Sequence, residues 1–144
     1  MNSLIVRATA VPLAALLVVV SLFVLIRGHD EPGGGFIGGL IAASGHALLL
    51  VAFGAAATRR ILNSSRVLRY IVGLDPRTII AVGLALLSSA AVLPMVLGDP
   101  LLQAQWWFAI PHVTKVGTVL IFDIGVYLTV LGTSTLILTT LIEE

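Results

Sequence analysis

The stretch His29-Asp30-Glu31-Pro32-Gly33-Gly34-Gly35-Phe36-Ile37-Gly38-Gly39 puts three ionisable side chains, one proline and five glycines into a short connection between two long apolar runs, Leu13 to Ile26 and Ile37 to Ala57. Those flanks are too apolar to lie in water, so the connection belongs where the chain turns at a membrane face. Within it, Pro32 fixes the backbone ahead of a helix, while Gly33 and Gly34 are free to take the positive φ that a sharp re-entry needs. Asp30 and Glu31 precede the helix start, where the macrodipole favours negative charge. Phe36 is suited to a headgroup-level anchor or to insertion between helices. No Lys-Ser/Thr follows the glycines, so a phosphate-binding loop is excluded.

The rest of the 144-residue chain agrees with a membrane setting. It is 58% hydrophobic and only 10% charged, with a mean hydropathy of +1.12, whereas about a quarter of the residues in soluble domains are charged. The net charge of +1 and the lack of a basic tract interleaved with aromatics argue against a nucleic-acid partner. Cysteine is absent, which excludes disulfides, thiolate metal sites and thiol catalysis. The first apolar run is longer than a signal core and ends in Arg27-Gly28-His29 without a small-x-small pattern, so it is expected to be a retained span.

A hydrocarbon core roughly 30 Å thick takes about 20 helical residues. Four windows qualify, at about Leu4 to Ile26, Gly35 to Ala57, Thr78 to Leu97 and Lys115 to Ile142. Each is expected to be helical, because an open strand in lipid leaves its amides and carbonyls without partners. The expected fold is therefore an all-α integral membrane bundle of four transmembrane helices, forming a single domain over residues 1–144. The link from Thr58 to Arg77 carries Arg59, Arg60, Arg66, Arg69 and Arg77, on the side of Arg7 and the C-terminus, while the opposite side offers Arg27 and Lys115. By the positive-inside rule both termini are cytoplasmic. Trp106 and Trp107 read as an outer interfacial belt ahead of the last span.

Asp123 stands out in the fourth window. Counted from Lys115, it lies about 12 Å along the helix, where a lipid-facing carboxylate is expensive. It must face protein or water, either as a proton or cation station or as a fixed, paired charge that orients neighbouring helices. His112, 11 residues earlier, projects onto the same face if the helix begins that soon, and Tyr127 and Ser134 continue the face downward. Lys115 is turned from Asp123 by roughly 80° and either snorkels outward or bends toward that face. His46, near the middle of the second window, is either a neutral histidine hydrogen-bonded to a neighbour or a proton relay.

The stripes Gly34, Gly38, Ala42, His46 and Gly35, Gly39, Ala43, Ala47 leave one broad side of the second helix nearly bare, and Gly117, Gly125 and Thr129 do the same in the fourth. Such surfaces bring backbones together, and their extent suggests other subunits as partners. The three histidines are scattered, so no metal centre is expected, and no arrangement suggests a catalytic group or a cofactor site.

Two strings, Arg27 to Ala43 and Leu120 to Gly132, resemble the MnhB family of small membrane subunits of Mrp multisubunit cation/proton antiporters, and the resemblance covers nearly the whole chain. It implies a small, non-enzymatic subunit of a plasma-membrane complex that exchanges Na⁺ for H⁺, with the other Mrp subunits and membrane lipids as partners. The motif positions it carries over are Pro32, Gly33, Gly34, Gly35, Phe36, Gly38 and Gly39 in the connection, with Asp123, Gly125 and Gly132 in the last helix. Asp123, His46, Lys115 and His112 are the candidates for an ion or proton path, and His29, Asp30 and Glu31 join the motif as interface residues. A purely structural adaptor, the MnhB-like module of a membrane-bound hydrogenase and an autonomous four-span transporter are the alternatives.

Overall fold

Backbone groups in hydrocarbon must find partners within the chain, and the apolar windows meet that demand as helices. A computed structural model describes residues 4–28, 34–64, 75–110 and 114–143. Its helices are α1 (Leu4–Arg27), α2 (Gly34–Phe53), α3 (Ala55–Ser64), α4 (Pro76–Val96) and α5 (Thr118–Glu143), and a hairpin of β1 (Trp106–Ile110) and β2 (Thr114–Gly117) precedes α5. Four of these helices, α1, α2, α4 and α5, are long and apolar enough to cross a membrane. The expected all-α membrane architecture therefore holds, with α3 and the hairpin as additions to it.

α2 is the central span, with 44% of its apolar window buried against 22% in each of the other three. It packs on α1 along one side and α5 along the other, and α4 packs chiefly on α5, so the spans run in the order α1, α2, α5, α4. Glycines set the close approaches. A Cβ on Gly38 would lie 3.0 Å from Ser21 O of α1, one on Gly39 would lie 3.0 Å from Tyr127 O of α5, and one on Gly125 would lie 2.8 Å from Leu87 N of α4. A Cβ on Gly132 would meet Ile80 Cγ1 at 2.8 Å and Pro76 O at 3.1 Å. The small-residue stripes thus join the chain's own helices through dispersion contacts between backbones. Large apolar side chains such as Leu16, Val19 and Phe23 of α1 remain exposed on the outer surface.

The second span ends before Ala57. Gly54 takes φ +77°, a left-handed conformation that closes α2 at little cost only for glycine. The chain then continues as the short α3, which turns Thr58 and Leu62 inward and leaves Arg59 and Arg60 exposed. α4 begins with a conventional cap: the Asp75 carboxylate accepts from Arg77 N at 3.1 Å, and Pro76, which has no N–H to satisfy, follows.

The fourth span begins later than expected. Residues Thr114–Gly117 pair antiparallel with Trp106–Ile110, Ala109 opposite Lys115 and Ile110 opposite Thr114, with an irregularity between Trp106 and Phe108. The aromatic and β-branched residues on either side of Pro111 suit a pleated ribbon. The ribbon is fastened to the helix start by reciprocal bonds, Thr118 N to Gln105 O at 3.0 Å and Gln105 N to Thr118 Oγ1 at 3.0 Å. Lys115 is therefore on a strand, and the helical phase used to relate it to Asp123 does not apply.

Candidate functional site

α5 starts at Thr118, so Asp123 lies five residues in, about 7.5 Å along the axis at 1.5 Å per residue rather than the 12 Å counted from Lys115. The side chain is half-buried. It stands over the first residue of α2: a Cβ on Gly34 would lie 3.5 Å from Asp123 Oδ1, 3.7 Å from Oδ2 and 3.7 Å from Gly28 O. Three segments meet at this point, the end of α1, the start of α2 and the first turns of α5. Gly34 makes the junction possible through its φ of +68°, which a residue with a side chain would adopt only with strain. The first amides of a helix lack intrahelical acceptors and carry the positive end of its dipole, so this seat suits negative charge.

One residue further, Gly35 is pressed against the backbone of α5, where an added Cβ would fall 2.9 Å from Asp123 C and 3.0 Å from Tyr127 N. One turn below the carboxylate, Tyr127 OH lies 3.0 Å from Ser21 Oγ of α1 in a buried pair. Ser21 Oγ donates to Val18 O at 2.7 Å. With the serine hydrogen so committed, the tyrosine O–H donates to the serine oxygen. Ser21 is fully covered and Tyr127 is 7% exposed.

Removal of this buried bond by Tyr127→Phe is expected to lower stability by about 1 kcal/mol. Ser21→Ala should cost about the same, and the double variant little more than either single one, because both remove one interaction. Thermal melts of the detergent-extracted protein check this, and additive losses would show that the two hydroxyls act separately.

The structure brings together only part of the expected set. Asp123, Gly34, Gly35 and Tyr127 form one cluster with Ser21, which sequence reasoning missed; its only signal was a single hydroxyl within the apolar run of α1. Gly38 and Gly39 continue the seam below, whereas Phe36 is 56% exposed and points outward from the bundle. Gly125 and Gly132 face α4, not α2. His46 is twelve residues beyond Gly34 on α2, about 18 Å along the axis, so it does not share the Asp123 site. Its Nε2 is buried and has no hydrogen-bond partner among the described residues. His29, Asp30, Glu31, Pro32, Gly33 and His112 lie outside the described residues.

Residues 5–136 match the family described as a domain related to the MnhB subunit of Na⁺/H⁺ antiporter. The chain is 34% identical to the B-type Na(+)/H(+) antiporter subunit of Bacillus subtilis (strain 168), over 99% of this chain and 95% of that protein. It is also similar to a chain in the structure of the Mrp complex from Dietzia sp. DQ12-45-1b, with a TM-score of 0.76 and 29% identity over 96% of this chain. The matched region is 14% of that longer chain. Family match, relative and fold agree over nearly the full length: this chain is a multi-pass membrane protein that belongs to the family of domains related to the MnhB subunit of Na⁺/H⁺ antiporters.

Proposed function

We propose that this chain is the MnhB-type subunit of an Mrp-type Na⁺/H⁺ antiporter, a non-enzymatic component that works in the plasma membrane together with the other Mrp subunits. The relatives support the complex, and the observation that carries the role within it is the Asp123 carboxylate at the junction of α1, α2 and α5. A half-buried acid at a helix start, near the end of a span, is a position at which a proton or Na⁺ carried by the complex can be held briefly. Asp123 is the ion or proton station of this reading.

A second reading is favoured by the same seat. A carboxylate held over the α2 dipole and against the Gly35 seam also serves as a fixed charge that locks the first turn of α2 to α5, which makes the chain a structural adaptor.

Both readings treat the four spans as one unit with cytoplasmic termini. Arg7 lies 5.4 Å from the Phe53 ring, which puts the start of α1 and the end of α2 on one side. Arg59 and Arg60 on α3 and Arg77 at the start of α4 belong to that same end, and Arg27 and Lys115 to the other.

The complex is tested by purifying a tagged chain at native abundance from its own membrane. Co-migration of the other antiporter subunits, with Na⁺-dependent proton movement in vesicles, is the expected result. Recovery with hydrogenase subunits instead, or exchange by the purified chain alone, would overturn it.

A further inference from the structure

At the end of the bundle opposite Asp123, a cavity of about 440 Å³ lies between α2, α3, the start of α4 and the last turns of α5. Its wall is polar for a protein of this composition, with His46, Thr58, Arg59, Asn63, Asp75 and Thr139 among the lining residues. Two of these hold buried polar atoms without a hydrogen-bond partner among the described residues, His46 Nε2 and Thr58 Oγ1. Thr58 is only 1% exposed.

A desolvated, unpaired hydroxyl and imidazole are unfavourable unless water reaches them, and a polar space of this size accommodates a cluster of waters. The position of the cavity is set by chain ends: α3 begins just past Gly54, Asp75 caps α4, and Thr139 sits near the end of α5, so the space lies at the α3 end of the bundle.

We propose that this cavity is hydrated from the α3 face of the membrane and delivers protons to His46. The charges around it fit water and protons better than a bulky ion. Arg59 from α3 and Asp75 at the start of α4 are of opposite sign, α5 contributes the hydroxyls of Thr135 and Thr139, and on α1 the cation Arg7 is turned to the Phe53 ring. In the transfer, a hydronium in the cavity gives its proton to a lone pair of the imidazole, forming imidazolium and leaving a neutral water. Asp75 and Arg59 are the charged side chains that line the same cavity as the ring. This holds whichever complex the chain joins, so its failure would leave the antiporter reading untouched.

The chain has no cysteine, so Thr139→Cys supplies its only thiol. In sealed native vesicles of either orientation, a membrane-impermeant methanethiosulfonate is applied and the mass of this chain is read. Arg60→Cys on α3 marks the side, and Ile137→Cys, 53% exposed on the outer surface of α5, is the lipid-facing control. Thr139→Cys is expected to label about tenfold or more faster than the control, since a thiol away from water forms little thiolate, and from the same face as Arg60→Cys. Labelling at the control rate, or from the opposite face, would overturn the proposal. Independently, C2–H deuterium exchange at His46 in the unmodified complex should follow a titration curve with pH, and a flat profile or no exchange would overturn it without any variant.

Discussion

Gly35→Ala is expected to leave little folded chain in the membrane. The new methyl would run into the Asp123 carbonyl oxygen and come within 2.9 Å of its carbon and 3.0 Å of Tyr127 N. These are backbone atoms of α5 and have no rotamer to yield. α2 must then move off α5, which opens the Gly35 to Gly39 seam and draws Gly34 away from the Asp123 carboxylate. Overpacking a tight site costs about 1–3 kcal/mol, and an obstruction made of backbone belongs at or above the top of that range. The measurement is the amount of tagged chain in the membrane and its melting temperature after extraction. Ile37→Ala, on a residue 44% exposed at the outer surface, should accumulate and melt close to the parent protein. If Gly35→Ala did the same, the close α2–α5 contact would be wrong.

Asp123→Asn is expected to leave the assembled complex intact and to lower Na⁺/H⁺ antiport by about an order of magnitude or more, because a neutral amide takes up no proton at working pH and has no negative charge to hold a cation. The amide nearly matches the carboxylate in shape, so the packing against Gly34 and Gly28 is kept while the charge is removed. Two readouts separate the roles: native-gel assembly of the complex and Na⁺-dependent proton movement in inverted vesicles. Intact assembly with lost exchange supports the station. Lost assembly assigns Asp123 to the adaptor role, since the fixed anion at the α2 dipole would then be what holds the first turn of α2 against α5. Full activity in an assembled complex would exclude both.

The two variants act on one place from its two sides. Gly35 controls how near the backbones of α2 and α5 approach, and that approach is what puts a carboxyl group from α5 over the first turn of α2. A packing defect and a charge deletion at this junction therefore have distinct signatures, the first in abundance and the second in transport. Exposed apolar faces such as that of α1 are indifferent to either change within the chain and are suited to lipid or to other subunits.

The amino-acid order by itself determined that four segments are helical spans, because hydrocarbon leaves a long apolar run no other way to satisfy its backbone. It also singled out Asp123, whose charge is conspicuous against Ile121, Phe122 and Ile124, and the glycines of α2, whose spacing announces close backbone contact. Which helix those glycines meet was decided only by the tertiary structure. The same spacing serves a neighbour in the chain as well as one in another subunit, and here Gly38 meets both Ser21 of α1 and the Tyr127 ring of α5 while Gly35 and Gly39 meet α5. The break at Gly54 and the hairpin ahead of Thr118 were hidden as well, since apolarity alone marks α2 as continuous to Ala57 and α5 as starting at Lys115. A left-handed glycine and a facing strand ended those runs, and both depend on what the rest of the chain supplies as partners. The Ser21–Tyr127 bond joins residues 106 apart in sequence, and no local pattern encodes a contact that exists only once α1, α2 and α5 have packed.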